Sequence, residues 1–204
     1  MRRLTRGTRL VVASHNPGKV GKIQQRVAPF VFDAVSAGDL GLAEPEETET
    51  TFEGNAKLKA VAAARGSGLP ALADDSGLEV FALSGKPGVH SHRYSPNAAA
   101  DDRERCLYLL NNLKGHPQPW EARFVCAVVL YSPSGEVLRS FGECRGEIIP
   151  EFRGENGFGY DPIFLVAGTN KTMAELPDEQ KNQLSHRANA LRAALPALRE
   201  FACQ

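Results

Sequence analysis

The sequence lacks the features that would place it at once in several broad classes of protein. Its four cysteines, Cys106, Cys126, Cys144 and Cys203, form no Cys-x-x-Cys pair, so neither a structural zinc site nor a thioredoxin-like centre is expected. No apolar stretch approaches the ~20 residues of a membrane-spanning helix. The only apolar run behind the basic N-terminus, Leu10–Ala13, is too short for a signal-peptide core. We therefore expect a soluble cytoplasmic protein with reduced thiols and no membrane partner.

An excess of positive charge is also missing. Lysine plus arginine and aspartate plus glutamate each number 24, which gives a formal net charge of zero. Proteins that bind a nucleic-acid backbone usually carry a basic excess, so no nucleic-acid partner is expected. A small anionic ligand remains compatible, because a few lysines can hold it locally. The chain has no Walker A loop, internal repeat or low-complexity linker, and we predict a single domain over residues 1–204.

What the sequence does contain is an alternation of strand-like and helix-like segments. Apolar, β-branched runs predict strands at 9–14, 32–37, 71–73, 78–83, 124–131, 137–141 and 145–149. Amphipathic or alanine-rich runs predict helices at 19–28, from Thr50 to 65, at 98–113 and at 185–201. The third of these strands should end at two aspartates, and Thr50 with Glu53 fits a capping box. The pattern predicts an α/β fold with a mixed central sheet flanked by helices.

Two adjacent carboxylates, Asp74 and Asp75, followed by Ser76, form the first chemically suggestive segment. At a strand end they would lie where open α/β sheets place their ligands. Carboxylates bind Mg²⁺ and can take a proton from water. Asp-Asp-Ser-Gly is also good turn chemistry, and this segment taken alone favours a turn over an active site.

A second segment is the polar loop between the first strand and the first helix. It consists of Ser14, His15, Asn16, Pro17, Gly18 and Lys19. Such a loop can bind phosphates through backbone N–H groups and the helix dipole, and a lysine adds a point charge. An ordinary strand-to-helix connection is the alternative.

Three further segments carry residues that can serve either chemistry or structure. Glu46 and Glu47 precede the helix that bears Lys59, and all three could be solvated charges. Phe158, Gly159, Tyr160 and Asp161 lie in a glycine-rich segment that offers aromatic stacking faces, or that forms a hairpin with two packed rings. Lys181, His186 and Arg187 could contact a phosphate and a base carbonyl. In the alternative, Ser185 is an N-cap and His186 and Arg187 are surface residues of the first turn.

Taken together, the segments resemble the inosine/xanthosine triphosphate pyrophosphatases, also called the Ham1 or RdgB-like family, which act on non-standard purine nucleotides. The matching stretches are S-H-N-P-G-K (14–19), E-E-T-E-T-T-F-E-G-N-A-K-L-K-A (46–60), A-D-D-S-G-L (73–78), G-K-P-G-V-H-S-H-R-Y (85–94), G-F-G-Y-D-P-I-F (157–164) and L-S-H-R-A-N-A-L (184–191). They occur in the family's order and cover nearly the whole chain.

The resemblance implies a homodimeric enzyme with a substrate cleft between two lobes. It implies Mg²⁺-dependent conversion of ITP, dITP or XTP to the monophosphate and pyrophosphate. By position, Asp75 would be the proton acceptor and a metal ligand, supported by Asp74 and by Glu46 or Glu47. The segment 14–19 with Lys59, Ser76 and Lys181 would hold the triphosphate. Phe158, Gly159, Tyr160 and Asp161, with His186 and Arg187, would enclose the base.

The chain departs from the family pattern at a few positions. Glu49 stands where glycine is common, Gly54 where glutamate or isoleucine is usual, and His90 and His92 where tyrosine and alanine are frequent. Ser14 replaces a commoner threonine and keeps the hydroxyl. No proposed catalytic group is lost. Two other functions stay open, namely a Maf-like pyrophosphatase for other modified nucleotides and a nucleotide-binding sensor without catalysis.

Overall fold

A computed structural model describes residues 9–27 and 33–203 of the chain. One sheet contains six strands: β1 (Arg9–Val12), β2 (Asp33–Ser36), β3 (Ala71–Val80), β4 (Trp120–Ser132), β5 (Gly135–Ile148) and β6 (Phe164–Val166). The helices are α1 (Pro17–Val27), α2 (Phe52–Ser67), α3 (Asp102–Leu113), α4 (Asp178–Leu184) and α5 (His186–Cys203). The strand order is β2-β1-β3-β4-β5-β6. β1 runs parallel to β2 and β3, whereas β5 and β6 are antiparallel. The predicted mixed α/β sheet flanked by helices is thereby confirmed.

The chain forms two compact units, each with its own apolar core. The first unit comprises the described residues up to Asp75, together with Cys126–Gly142 and the segment from Ala190 onward; the second comprises Ser76–Val125 and Glu143–Asn189. Leu10, Ile23 and Leu191 belong to the core of the first unit. Leu109, Phe164 and Leu176 belong to that of the second. The predicted cleft between two lobes stays a prediction.

Strand β3 is longer than the sequence predicted, and this changes the setting of the two aspartates. A strand that ends at Ala73 is wrong, because Ala71–Val80 is continuous. Asp74 and Asp75 therefore lie inside a strand, with 3% and 6% of their surface exposed. The strand can continue through two carboxylates because buried donors from elsewhere in the first unit bond to Asp75. The interpretation of Asp-Asp-Ser-Gly as a turn is excluded.

The helix that provides those donors, α2, begins one residue later than predicted. Thr51, in the extended conformation, is the N-cap, and its hydroxyl oxygen accepts a hydrogen bond from the Gly54 N–H. The prediction of Thr50 as N-cap with Glu53 completing a capping box is therefore wrong. Glu53 instead pairs with Arg139 at 2.7 Å. At its other end α2 stops at Gly68, whose left-handed φ of 69° favours glycine.

Replacement of Thr51 by alanine tests this assignment of the cap. It should lower the free energy of unfolding by about 1 kcal/mol, because a helix-terminal N–H loses its acceptor. The matched control is Thr50→Ala, which removes the same hydroxyl one residue earlier and should change stability very little. Urea denaturation of both variants measures the difference, and equal losses would contradict the assignment.

The remaining elements differ from the predictions mainly at their ends. The two strands predicted at 137–141 and 145–149 form the single strand β5, and the strand predicted to reach Leu83 ends at Val80. The helix predicted from 98 begins at Asp102, where Asp101 accepts from the Glu104 N–H at 2.7 Å. β6 and α4 were not predicted. The predicted ends at residues 28 and 32 lie outside the described residues.

No helix in the part of the chain that the structure describes is both long and apolar enough to cross a membrane.

Candidate active site

In the first unit, Lys59 lies between two carboxylates that the sequence singled out. Its Nζ donates to Oε1 of Glu47 at 2.8 Å and to Oδ1 of Asp75 at 3.1 Å. Lys59 is 4% exposed, because α2 faces β3 at this position. Glu46, by contrast, is exposed. Of the two candidate glutamates, Glu47 is thus the one that lies next to the Lys59–Asp75 pair.

Burial and charge act in opposite directions on this pair. Burial raises the pKa of the Asp75 carboxyl above its ordinary value, and the field of Lys59 offsets this only in part while Glu47 adds to it. Burial lowers the pKa of Lys59, but the fields of Asp75, Asp74 and Glu47 outweigh it and leave that pKa raised. Lys59 is therefore a retained cation, and Asp75 binds a proton more readily than an exposed aspartate does.

Asp74, the neighbour of Asp75, faces a different partner. The Cys126 thiol donates to its Oδ2 at 3.9 Å, a long and weak hydrogen bond within the buried interior of the first unit. The charge of Asp74 also acts on Lys59. The two aspartates thus share the field of one cation but have separate hydrogen-bond partners.

The carboxylate oxygens of Glu47 and Asp75 suit a hard divalent cation whose remaining coordination positions are filled by a bound substrate. Glu47 and Asp75 contribute carboxylate oxygens on either side of a buried ammonium, which is itself a cation held by both. In the described ranges 9–27 and 33–203, no group of three or more His, Cys, Asp or Glu side chains is arranged to hold a metal alone. Mg²⁺ is commonly bound by one or two carboxylates plus substrate phosphates. Two protein carboxylates are therefore compatible with such an ion.

The loop at 14–19 is organised around the start of α1, which begins at Pro17 rather than at Lys19. The Asn16 side chain accepts hydrogen bonds from the Gly18 and Lys19 N–H groups at 2.9 and 3.2 Å. The Ser14 hydroxyl accepts from the Asn16 N–H at 3.2 Å. An anion at this helix start would have to replace the Asn16 oxygen or bind beside it. His15 Nε2 lies 2.8 Å from the Leu42 carbonyl oxygen.

In the second unit, Ser76, Arg187 and His186 are ordered by one another or by the core. Arg187 donates from Nη2 to the Ser76 hydroxyl at 2.9 Å and is 6% exposed. The His186 ring stacks on Phe124, with ring centroids 5.0 Å apart and planes at 19°. Ser185 accepts from the Ala188 N–H at 3.3 Å, as an N-cap does. The cap interpretation is therefore correct for Ser185, but its description of Arg187 as a surface residue is wrong.

The glycine-rich segment contains a second buried ion pair. Lys181 donates from Nζ to Asp161 Oδ2 at 3.2 Å and to the Asn156 carbonyl oxygen at 3.1 Å. Phe158 is 56% exposed, whereas Tyr160 is 4% exposed and donates its hydroxyl to the Ser91 carbonyl oxygen. The hairpin alternative is wrong, because a short 3-10 helix (Asp161–Ile163) follows the bends. Of the two rings, only that of Phe158 is available for a base to stack on.

The ion pair between Lys181 and Asp161 leaves no room for a side chain at Gly157. Its φ is +95°, and a Cβ there would lie 2.0 Å from Asp161 Oδ2 and 2.4 Å from Lys181 Nζ. We expect Gly157→Ala to lower the free energy of unfolding by about 2 kcal/mol, through strain and displacement of the pair. Gly159→Ala is the control, since its φ is also positive (+63°) but no atom lies within 4 Å of the added Cβ. Denaturant titration should show a loss of about 1 kcal/mol for the control, and equal losses would contradict the role of the collision.

Sequence reasoning missed residues that support the predicted ones. Asn55 is 0% exposed and donates to Asp75 Oδ2 at 3.2 Å. Its position four residues before Lys59, on the same helix face, was a usable signal. Asp102 accepts from the Gly159 N–H at 2.6 Å, and the Cys106 thiol donates to the Gly159 carbonyl oxygen. A contact over 57 residues leaves no local pattern in the sequence.

Comparisons with known proteins identify relatives that match nearly the whole chain. Residues 10–197 match the sequence profile of the Ham1 family. A dITP/XTP pyrophosphatase of Thermus thermophilus is 46% identical over 200 residues, covering 97% of this chain and 95% of the relative. One from Deinococcus deserti is 49% identical over 194 residues, covering 94% and 89%. The structure of a HAM1 protein from Coxiella burnetii superposes with a TM-score of 0.88 at 39% identity, covering 95% of this chain and 99% of that one. The chain therefore belongs to the Ham1 family.

Proposed function

We propose that this protein hydrolyses non-standard purine nucleoside triphosphates (ITP, dITP and XTP) to the monophosphate and pyrophosphate, and so removes them from the nucleotide pool. The proposal is supported by the activity named for relatives that match over nearly the whole chain. The structural observation that carries it is Asp75, a buried carboxylate held by Lys59 beside Glu47. A protein that only bound a triphosphate would gain nothing from extra negative charge at this place.

Asp75 is proposed as the proton acceptor. Hydrolysis joins a water oxygen to phosphorus, breaks the anhydride bond between the α- and β-phosphates and releases one proton. A base works best when its pKa lies near the working pH. Burial moves the pKa of Asp75 in that direction, and the hydrogen bond from Lys59 holds the carboxylate in one place.

Buried cations would stabilise the triphosphate and the charge that develops on the departing pyrophosphate. Lys59 and Lys181 are each held by a carboxylate in the free protein, so their ammonium groups need little reordering when a phosphate arrives. Lys19, in the first turn of α1, would add a third cation beside the N–H groups of the loop. Ser76, which already bonds to Arg187, would contact the same part of the substrate.

We propose Mg²⁺ as the metal ion, with Asp75 and Glu47 as its protein ligands and Asp74 in support. When bound, such an ion polarises phosphate oxygens and lowers the pKa of water. Glu47 is preferred to Glu46 because it contacts the cation that Asp75 also binds.

The base would be selected by side-chain hydrogen-bond donors. Hypoxanthine and xanthine present a carbonyl oxygen at position 6, and Arg187 and His186 can donate to it. Adenine presents an amino group there, and a donor that faces a donor leaves both unpaired at about 1–3 kcal/mol each. Phe158, with its exposed ring, would stack on the base. Guanine also has the 6-carbonyl, so its rejection must use the 2-amino group.

The decisive experiment is a substrate panel with pyrophosphate release as the readout. dITP, XTP and ITP should be turned over with Mg²⁺ and not with EDTA, and dATP should be a poorer substrate by about 30-fold to 10⁴-fold. Methylated pyrimidine triphosphates in the same panel test the Maf-like alternative. Equal turnover of dITP and dATP would contradict the proposal. Binding of dITP without pyrophosphate release would indicate the sensor.

A homodimer and a cytoplasmic location complete the proposal. The resemblance to the family supports the first, and a task in the nucleotide pool supports the second. Sedimentation velocity over a range of concentrations would test the homodimer, and a monomer throughout would contradict it.

A further inference from the structure

Asn55 is a buried polar residue that the proposed mechanism does not use. It is 0% exposed, on the face of α2 that also presents Lys59. A buried amide without full hydrogen bonding destabilises a fold, so both ends of the Asn55 amide are expected to have partners. They lie in two different segments. Nδ2 donates to Asp75 Oδ2 at 3.2 Å, and Oδ1 accepts from the Glu49 N–H at 3.0 Å.

The second of these bonds fixes the orientation of the amide. A backbone N–H can only donate, so the atom facing Glu49 must be the amide oxygen, and the NH₂ group must face Asp75. The acidic segment, which contains Glu46, Glu47 and Glu49, is held against α2 here, since a Cβ on Gly54 would lie only 2.7 Å from the Glu49 Cβ. The backbone of the acidic segment thus prevents Asn55 from rotating.

Asp75 is consequently held at both of its oxygens. Lys59 bonds to Oδ1 and Asn55 to Oδ2, and the two donors lie one helical turn apart on α2. Lys59 has a long flexible stem and a second carboxylate partner in Glu47. Asn55 has a short side chain and a backbone anchor. Of the two donors, Asn55 is therefore the one that sets the angle of the carboxylate.

We infer that Asn55 is a positioning residue, which fixes the rotation of the Asp75 carboxylate so that a constant oxygen lone pair faces the attacking water. This inference rests on the proposed function. If Asn55 has this role, the acidic segment contributes to catalysis in two ways. Its Glu47 side chain lies at the site, and its Glu49 N–H holds Asn55 in place. Misplacement of a reacting group by about 1 Å can cost about a hundredfold in rate, so the expected effect is on kcat, with KM little changed.

Two substitutions separate the two bonds of Asn55. Asn55→Asp keeps the acceptor for the Glu49 N–H but replaces the donor to Asp75, whereas Asn55→Ala removes both. The control Thr51→Ala weakens the start of the same helix without touching Asp75. The measurements are kcat and KM for dITP with Mg²⁺, and hydrogen exchange of the Glu49 amide in the full-length protein without metal.

We expect kcat to fall about a hundredfold in both Asn55 variants, with Glu49 exchange accelerated only in Asn55→Ala and kcat near wild type in Thr51→Ala. Retention of kcat in Asn55→Ala would overturn the inference. A loss in Thr51→Ala as large as in the Asn55 variants would assign the effect to helix stability and overturn it too. The wild-type protein is assayed first. If it releases no pyrophosphate from dITP, the proposed function fails, and this outcome is distinct from a failure of the role of Asn55.

Discussion

Asp75→Asn should lower kcat for dITP by about a thousandfold while leaving the fold intact. General-base catalysis contributes about 10²–10⁴-fold, and an asparagine at this place cannot accept the proton. The substitution keeps the shape of the side chain and removes a charge that burial already disfavours. Lys59 retains Glu47 as an anionic partner, but an asparagine must turn its NH₂ group towards either Lys59 or Asn55. The free energy of unfolding should therefore fall by about 1–3 kcal/mol with the fold retained. Pyrophosphate release under saturating dITP measures the loss.

The matched control for this prediction is Asp33→Asn in the same unit. Asp33 also pairs with a cation, Arg9, but both side chains are about 60% exposed (60% and 59%). Exposed ion pairs contribute little, so this variant should keep both activity and stability. Activity of Asp75→Asn above about a tenth of wild type would assign the proton to another group.

The sequence predicted the centre of the candidate site better than its surroundings. The family resemblance singled out Lys59 as a residue that would hold the triphosphate, and in the structure Lys59 lies between Asp75 and Glu47. Lys59 could be identified because the stretch 46–60 matches the family in both residue types and spacing. The choice between Glu46 and Glu47 could not be made, because adjacent residues in an irregular segment carry no periodicity that tells which one faces inward.

The prediction of strand ends failed for a related physical reason. Two adjacent aspartates interrupt an apolar run, so β3 was expected to stop before them. It continues because Asn55 and Lys59 supply donors to Asp75 from 20 and 16 residues away. Whether a polar residue ends a strand or lies within it depends on hydrogen-bond partners that are distant in the chain. The local sequence pattern does not indicate which partners these are. Tyr160 is a parallel case, since it is buried in the apolar core of its unit and its hydroxyl bonds to the Ser91 carbonyl oxygen 69 residues away.

Lys59→Met should be the most destabilising of the substitutions considered, by about 3–5 kcal/mol at neutral pH. The methionine fills a similar volume, so the loss comes from charge: Asp75, 6% exposed, loses its buried cation, and Glu47 loses the same partner. The control Lys57→Met lies on the exposed side of α2 and should cost less than about 0.5 kcal/mol. Urea denaturation of both variants without metal measures the difference.

The pH dependence of the Lys59→Met deficit distinguishes lost charge from lost packing. Lys59 lowers the pKa of Asp75, so its removal leaves burial and Glu47 to raise that pKa further. The folded variant then holds a proton at a pH where the unfolded chain has lost it, and its stability increases as the pH falls toward the ordinary aspartate range. The deficit relative to wild type should therefore narrow in mildly acidic buffer. A deficit that stays constant between neutral and mildly acidic pH would show that the methionine packs badly, and that the cation between Glu47 and Asp75 contributes little to stability.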